Sequence, residues 1–175
     1  KKKDNKAKEA EKLARVVFSF PPAIAPYKAA VFPLLQNDKF DPFVAKLSDS
    51  LNFANISHKV DVTGQSIGKR YARTDDIGVP FAITVDFDSL ENNTVTLRER
   101  DSCRQIRASA DEVVSVIVQL IEAKTTWDAV LQKYPEQKQS ASEKVDFHLV
   151  QNKKQHITRC KFSSKPLQAR LLPWK

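Results

Sequence analysis

One feature of residues 24–135 limits what this chain can fold into: the hydrophobic period switches again and again between that of a strand and that of a helix. Residues 24–35 (IAPYKAAVFPLL) have the aromatic and β-branched content of a first strand, with Pro26 and Pro33 near its ends. Asp41 precedes Pro42 in the arrangement of an N-cap followed by proline at the first helical position, and Phe43, Leu47 and Leu51 recur at four-residue spacing, which predicts an amphipathic helix. Residues 58–62 (HKVDV) read as a second, short strand. Ser66 then caps a helix with Ile67, Tyr71 and Thr74 on one face and Lys69, Arg70 and Arg73 turned elsewhere, closed by Gly78. Residues 80–88 (PFAITVDFD) predict a third strand, residues 94–100 a fourth across a Glu91-Asn92-Asn93 turn, and residues 103–108 a fifth. Ser109 and Glu112 make a capping-box pattern ahead of the stripe Val113, Ile117, Leu120 and Ile121, and residues 126–134 add a short helix carrying Trp127, Val130 and Leu131. The order β-α-β-α-β-β-β-α predicts an α/β fold, a five-stranded mixed sheet packed with three or more helices, whose crossovers are right-handed.

Charge divides the chain into the same parts as the pattern. The formal net charge is +8, yet residues 18–135 hold thirteen Lys/Arg against fifteen Asp/Glu. The excess lies at the ends, +4 over residues 1–17 and +6 over residues 136–175. Three regions are expected: a basic linker or helix (1–17), one globular domain (18–135) and a disordered basic tail (136–175). The basic ends can supply sequence-blind attraction to phosphates, whereas any recognition by the domain must come from a local cluster. No apolar run approaches the ~20 residues that span a bilayer, so no membrane partner is expected. Cys103 and Cys160 stand far apart with no secretory signal ahead of them, which favours a reducing compartment, and Asp4, Glu9 and Glu11 count against a mitochondrial presequence.

The residues able to recognise something cluster around position 100. On the fourth strand Val95 and Leu97 face one way, while Thr94, Thr96, Arg98 and Arg100 face the other. Pairing of the fifth strand alongside presents Gln105 and Arg107 near them. Guanidinium and amide groups offer the fixed donor and acceptor forks that an unpaired base edge requires. The same spacing also suits a salt-bridged sheet surface neutralised by Glu99 and Asp101. Lys69, Arg70 and Arg73 form a basic helix face suited to phosphates or simply to solvent. His58, His148 and His156 are scattered and neither cysteine has a partner at zinc-ligand spacing, so no metal site is expected; no Ser stands in a nucleophile elbow, no Gly-rich Lys-Ser/Thr loop is present, and no catalytic residue is assigned.

The strings SIGKRYARTDDIG (66–78), PFAITVDFD (80–88) and TLRERDSCRQIR (96–107), with FPPAIAPYKAAVFPL (20–34) and SHKVD (57–61) in the same order, resemble the C-terminal anticodon-binding domain of the eukaryotic-type, dimeric glycyl-tRNA synthetases over residues 18–135. The resemblance implies the class II synthetase anticodon-binding fold and recognition of the tRNA-Gly anticodon in support of glycyl-tRNA aminoacylation. It places anticodon contacts on Gln65 and Ser66, on Asp86 and Asp88, and on Arg98 and Arg100, with Arg104, Gln105 and Arg107 as additions; the phosphate contacts expected of Lys69, Arg70 and Arg73 rest on the basic helix face alone. The family's catalytic domain, which uses ATP, has no counterpart in these residues. This chain is therefore expected to hold no cofactor and to be inactive alone, with the family's homodimerisation left open. The cytoplasm is the expected compartment, a mitochondrial form being compatible. A protein-interaction module built on the same fold is the competing reading.

Overall fold

A computed structural model describes residues 17–137 of the chain. Five strands form one mixed sheet: β1 (Ala29–Pro33), β2 (His58–Val60), β3 (Phe81–Val85), β4 (Thr94–Glu99) and β5 (Gln105–Ser109), in the order β2-β1-β3-β4-β5. β1 runs parallel to both β2 and β3, and β4 is antiparallel to both β3 and β5. The helices are α1 (Asp41–Phe53), α2 (Ile67–Asp76), α3 (Phe87–Asn92), α4 (Ala110–Ile121) and α5 (Trp127–Lys133).

Alternation along β1 separates two cores. Ala29 and Val31 pack with Val44, Leu47 and Leu51 of α1 and with Val113, Val116 and Ile117 of α4. Ala30 and Phe32 point to the other side, where Ile67 and Tyr71 of α2 cover them together with Val79 and Ala82. β1 and β3 are buried along their whole length because both faces are roofed, and the third strand accordingly lacks apolar–polar alternation, its one hydroxyl, Thr84, being bonded to Tyr71. The expected facing of β4 holds: Val95 and Leu97 join the α1/α4 side. The opposite row of Thr96, Arg98 and Arg100 is buried as well.

Several boundaries differ from the sequence reading, each for a local reason. β1 starts at Ala29 and not at residue 24, because the amides of Ile24 and Ala25 turn back to the Pro21 carbonyl and Lys28 Nζ donates to the carbonyls of Ala23 and Ala25. β2 stops at Val60: the carboxylate of Asp61 accepts from the amide and hydroxyl of Thr63 and bends the chain. A 3-10 turn over Asp38–Phe40, capped by Asn37, precedes α1, so Asp41 is the first helical residue and Phe40 the cap. The third strand ends at Val85, and the Glu91-Asn92-Asn93 stretch belongs to α3 and its left-handed cap rather than to a hairpin turn. The capping box of α4 forms as expected, with the Ser109 hydroxyl and the Glu112 carboxylate reciprocating. Beyond Pro135, Glu136 bridges Ile106 and the Gln137 amide donates to the Gln105 carbonyl, so pairing continues two residues past the expected end of the domain. The readings for residues 1–16 and 138–175, with Cys160, His148 and His156, lie outside the described residues.

Candidate nucleic-acid interface

The parallel strands send their chain out at one edge. β1 leads through residues 34–40 to α1 on one face, and β2 leads through residues 61–66 to α2 on the other. At the adjacent carboxyl ends of β1 and β2 the chain therefore departs in opposite directions, the arrangement that opens a crevice in α/β sheets. The two loops meet there, since a side chain at Gly64 would lie 3.4 Å from Gln36 Oε1. A third exit, from β3 into α3, lies next to them because β1 and β3 pair as far as Pro33 and Val85.

This carboxyl edge carries exposed groups of the kind that meet unstacked bases. Gln65 and Ser66 are exposed, and the Ser66 side chain makes no capping bond to α2. Leu35, Val62 and Leu90 present apolar surface, and Phe87, 46% exposed, shows one part of its ring while the other packs 5.1 Å from Phe40. Asp88 is exposed. Asp86 is fixed: its carboxylate caps α3 through the Ser89 amide at 2.9 Å and accepts both terminal nitrogens of Arg107, at 2.7 and 2.8 Å. Burial disfavours the Asp86 carboxylate, but bonds from Arg107 and Ser89 and the Arg107 charge outweigh it and hold the carboxyl below its usual range. Arg107 also donates to Thr94 Oγ1 and lies 3.8 Å from Asp88. On α2, Lys69 and Arg73 are exposed, and Arg73 leans back toward the loop at Thr63 and Asp61.

The other residues singled out from the sequence do not join this edge. Register places Arg98 opposite Ala82 and Glu99 opposite Phe81, at the amino end of β3, while Thr96 and its neighbour Arg107 sit level with Thr84 near the carboxyl end. Four residues of strand, about 13 Å, separate Arg100 from that level. Arg98, 6% exposed, is gripped under α2 by both carboxylate oxygens of Asp75 at 2.9 Å, lies 4.7 Å from the Tyr71 ring and donates to Cys103 Sγ. Burial works against its charge, yet the Asp75 carboxylate raises its pKa. Arg100 is 4% exposed and donates to the Gly78 carbonyl at 2.7 Å, to Asp101, and to Ser19 and Phe20. Gln105 is buried beside Arg98. These three side chains have no open approach, and the expected row of base-reading arginines is corrected to a set of internal struts. Arg104 is exposed but sits at the amino edge, paired bidentately with Glu136 at 2.7 and 2.8 Å. Arg70, expected on a phosphate-facing surface, is 1% exposed; its guanidinium binds strand carbonyls in the interior.

Phe87 was missed. Its signal was present in the pattern Asp86-x-x-Ser89, which marks a helix start, but the β-prone run ahead of it absorbed the first two residues into a strand. Among the described residues no helix is long and apolar enough to cross a membrane.

Fold and edge together define a mixed-sheet α/β domain whose exposed polar and aromatic groups gather where the parallel strands end. Residues 28–120 match the family described as the anticodon binding domain, and the chain belongs to that family. It is 50% identical over 122 residues to a glycine–tRNA ligase of Drosophila melanogaster, covering 69% of this chain and 16% of that protein. A glycine–tRNA ligase of Bombyx mori is 51% identical over 131 residues, covering 74% of this chain and 18% of that protein. One from Aeropyrum pernix is 48% identical over 108 residues, covering 61% and 18%. The chain thus spans less than a fifth of these relatives. A prolyl-tRNA synthetase of Cryptosporidium parvum, solved with L-proline and AMP, shares the fold with a TM-score of 0.57 at 21% identity, covering 61% of this chain and 23% of that one.

Proposed function

We propose that this chain recognises the anticodon of tRNA-Gly and serves as the anticodon-reading part of a glycine–tRNA ligase, supporting aminoacylation whose ATP-dependent chemistry is carried by other parts of such a ligase. The observation that carries the reading is the carboxyl edge of the sheet, where Gln65 and Ser66 on the loop from β2 to α2, and Phe87 and Asp88 at the start of α3, stand exposed in an anticodon binding domain. The chemistry suits unpaired bases. Phe87 offers a ring face for stacking, the Gln65 amide a paired donor and acceptor, and the Asp88 carboxylate an acceptor for an exocyclic amine. Lys69 in the first turn of α2, and Arg73 in its last turn with a side chain leaning toward Thr63, meet the phosphates that connect those bases. Homodimerisation, as in the dimeric ligases that the sequence resembles, and a cytoplasmic location are part of the same proposal; one similar ligase, from Saccharomyces cerevisiae, is named as mitochondrial.

The test is the affinity of the full chain for a tRNA-Gly anticodon stem-loop and for the same stem with substituted anticodon bases. Phe87→Ala and Gln65→Ala are expected to weaken cognate binding by about 1–3 kcal/mol each, the worth of a stacked base. Equal affinity for both stems would refute anticodon reading, and binding to a protein partner but to neither stem would favour an interaction module.

A further inference from the structure

We infer that Arg70 is a positioning residue for the reading edge: from inside the fold it fixes the spacing of the two loops that bound the crevice between β1 and β2. The inference rests on the proposed function of that edge.

β1 and β2 pair only through Val31 and Val60, with a last bond from the Asp61 amide to the Val31 carbonyl. Pro33, two residues on, has no amide to continue a ladder, so the strands part there and leave buried carbonyls facing the gap. The Arg70 guanidinium fills that gap. Nη1 donates to the Asp61 carbonyl at 3.0 Å, and Nη2 donates to the Pro33 carbonyl and, at 3.4 Å, to that of Leu34. The guanidinium carbon lies 5.4 Å from the centre of the Phe32 ring, in cation–π contact. One rigid planar group thereby holds the last residues of both strands at a set separation.

Each strand end is tied onward to a loop. Asp61 holds Thr63 through two hydrogen bonds, and the chain continues to Gln65 and Ser66. The Leu34 amide donates to the Val85 carbonyl, which carries the position of β1 to the residue before Asp86 and Phe87. Arg70 touches none of the exposed groups, but all three loops hang from backbone that it braces. A lysine could donate to the carbonyl of one strand end at a time but cannot span both with a fixed fork.

The experiment compares Arg70→Lys and Arg70→Gln with Ile117→Val, a core trimming on the opposite face of the sheet, all in the full chain. Three quantities are read: the thermal midpoint, the ratio of affinities for the cognate and base-substituted stem-loops, and hydrogen exchange at the amides of Leu34 and Thr63. Both Arg70 variants are expected to lower the affinity ratio by about tenfold and to speed exchange at those amides, while Ile117→Val leaves both as in the wild type. Arg70 variants that behave like Ile117→Val overturn the inference. So does failure of both to fold, which would make Arg70 a stability element only. If the wild type shows no discrimination between stems, the proposed function falls, and the exchange of Leu34 and Thr63 alone then decides whether Arg70 braces the loops.

Discussion

Arg98 illustrates how far a side chain's chemistry depends on what lies above it. Its strand face was legible from alternation, but α2 lays Asp75 across that face, so the guanidinium is spent on an internal pair. Breaking a buried pair leaves one charge uncompensated. Arg98→Ala is therefore expected to destabilise the domain by about 3–5 kcal/mol in urea denaturation, while replacing Arg98 and Asp75 together by Met and Leu restores most of that loss. The Asp86–Arg107 pair has a different signature, because Arg107 and Ser89 hold the partly buried Asp86 carboxyl below its ordinary value. Its folded pKa is depressed, so its contribution is complete above the ordinary value of 3.8 and is lost as pH falls through the folded value. Wild-type stability should decline through this acid window more steeply than that of Asp86→Asn, which is already weaker at neutral pH; parallel curves would show that the pair adds nothing. Charged residues are the least legible at this scale. Spacing tells which way Arg98, Arg100 and Gln105 point, but whether a helix covers them is a tertiary fact.

At the scale of elements, segments with a clear hydrophobic period were readable, and one short helix fused to a strand was not. α4 announced itself through Ser109, Glu112 and a continuous apolar stripe, and all five strands overlap the stretches read for them, whereas their order in the sheet is a tertiary fact. α3 escaped because six residues carry too little periodicity to outweigh the β-prone run before them. Its ends are nevertheless written in local chemistry. Asp86 and Ser89 cap its start reciprocally, and Asn93, at φ 53°, ends it in the left-handed region and turns the chain into β4. Asparagine tolerates that conformation and other side chains resist it. Asn93→Ala should cost about 1 kcal/mol, whereas Asn93→Gly should be nearly neutral, as thermal or chemical denaturation of the two variants will show. Since α3 starts with Phe87, the alanine variant also tests whether slackening the helix lowers affinity for the cognate stem-loop.

For the whole molecule, the excess of positive charge and the proposed recognition edge occupy different parts of the chain. The region 18–135 is net acidic, and three of its thirteen cations, Arg70, Arg98 and Arg100, are enclosed. Salt dependence of stem-loop binding should therefore come mainly from the basic ends. Removing residues 138–175, which hold nine Lys/Arg and two Asp/Glu, is expected to flatten the slope of log affinity against log salt while keeping the preference for cognate bases. A preference that vanished with those residues would move recognition off the sheet edge.

The two ends of the sheet also bear different mechanical duties. Arg100 rivets Ser19 and Phe20, where the amino-terminal segment arrives, to the amino edge, while the loops of Gln65 and Phe87 leave from the carboxyl edge, a strand length or about 17 Å away. Arg100 thus ties that segment to the sheet far from the loops of the carboxyl edge. The edge proposed to meet the anticodon is thereby set apart from the place where residues 19 and 20 join the fold.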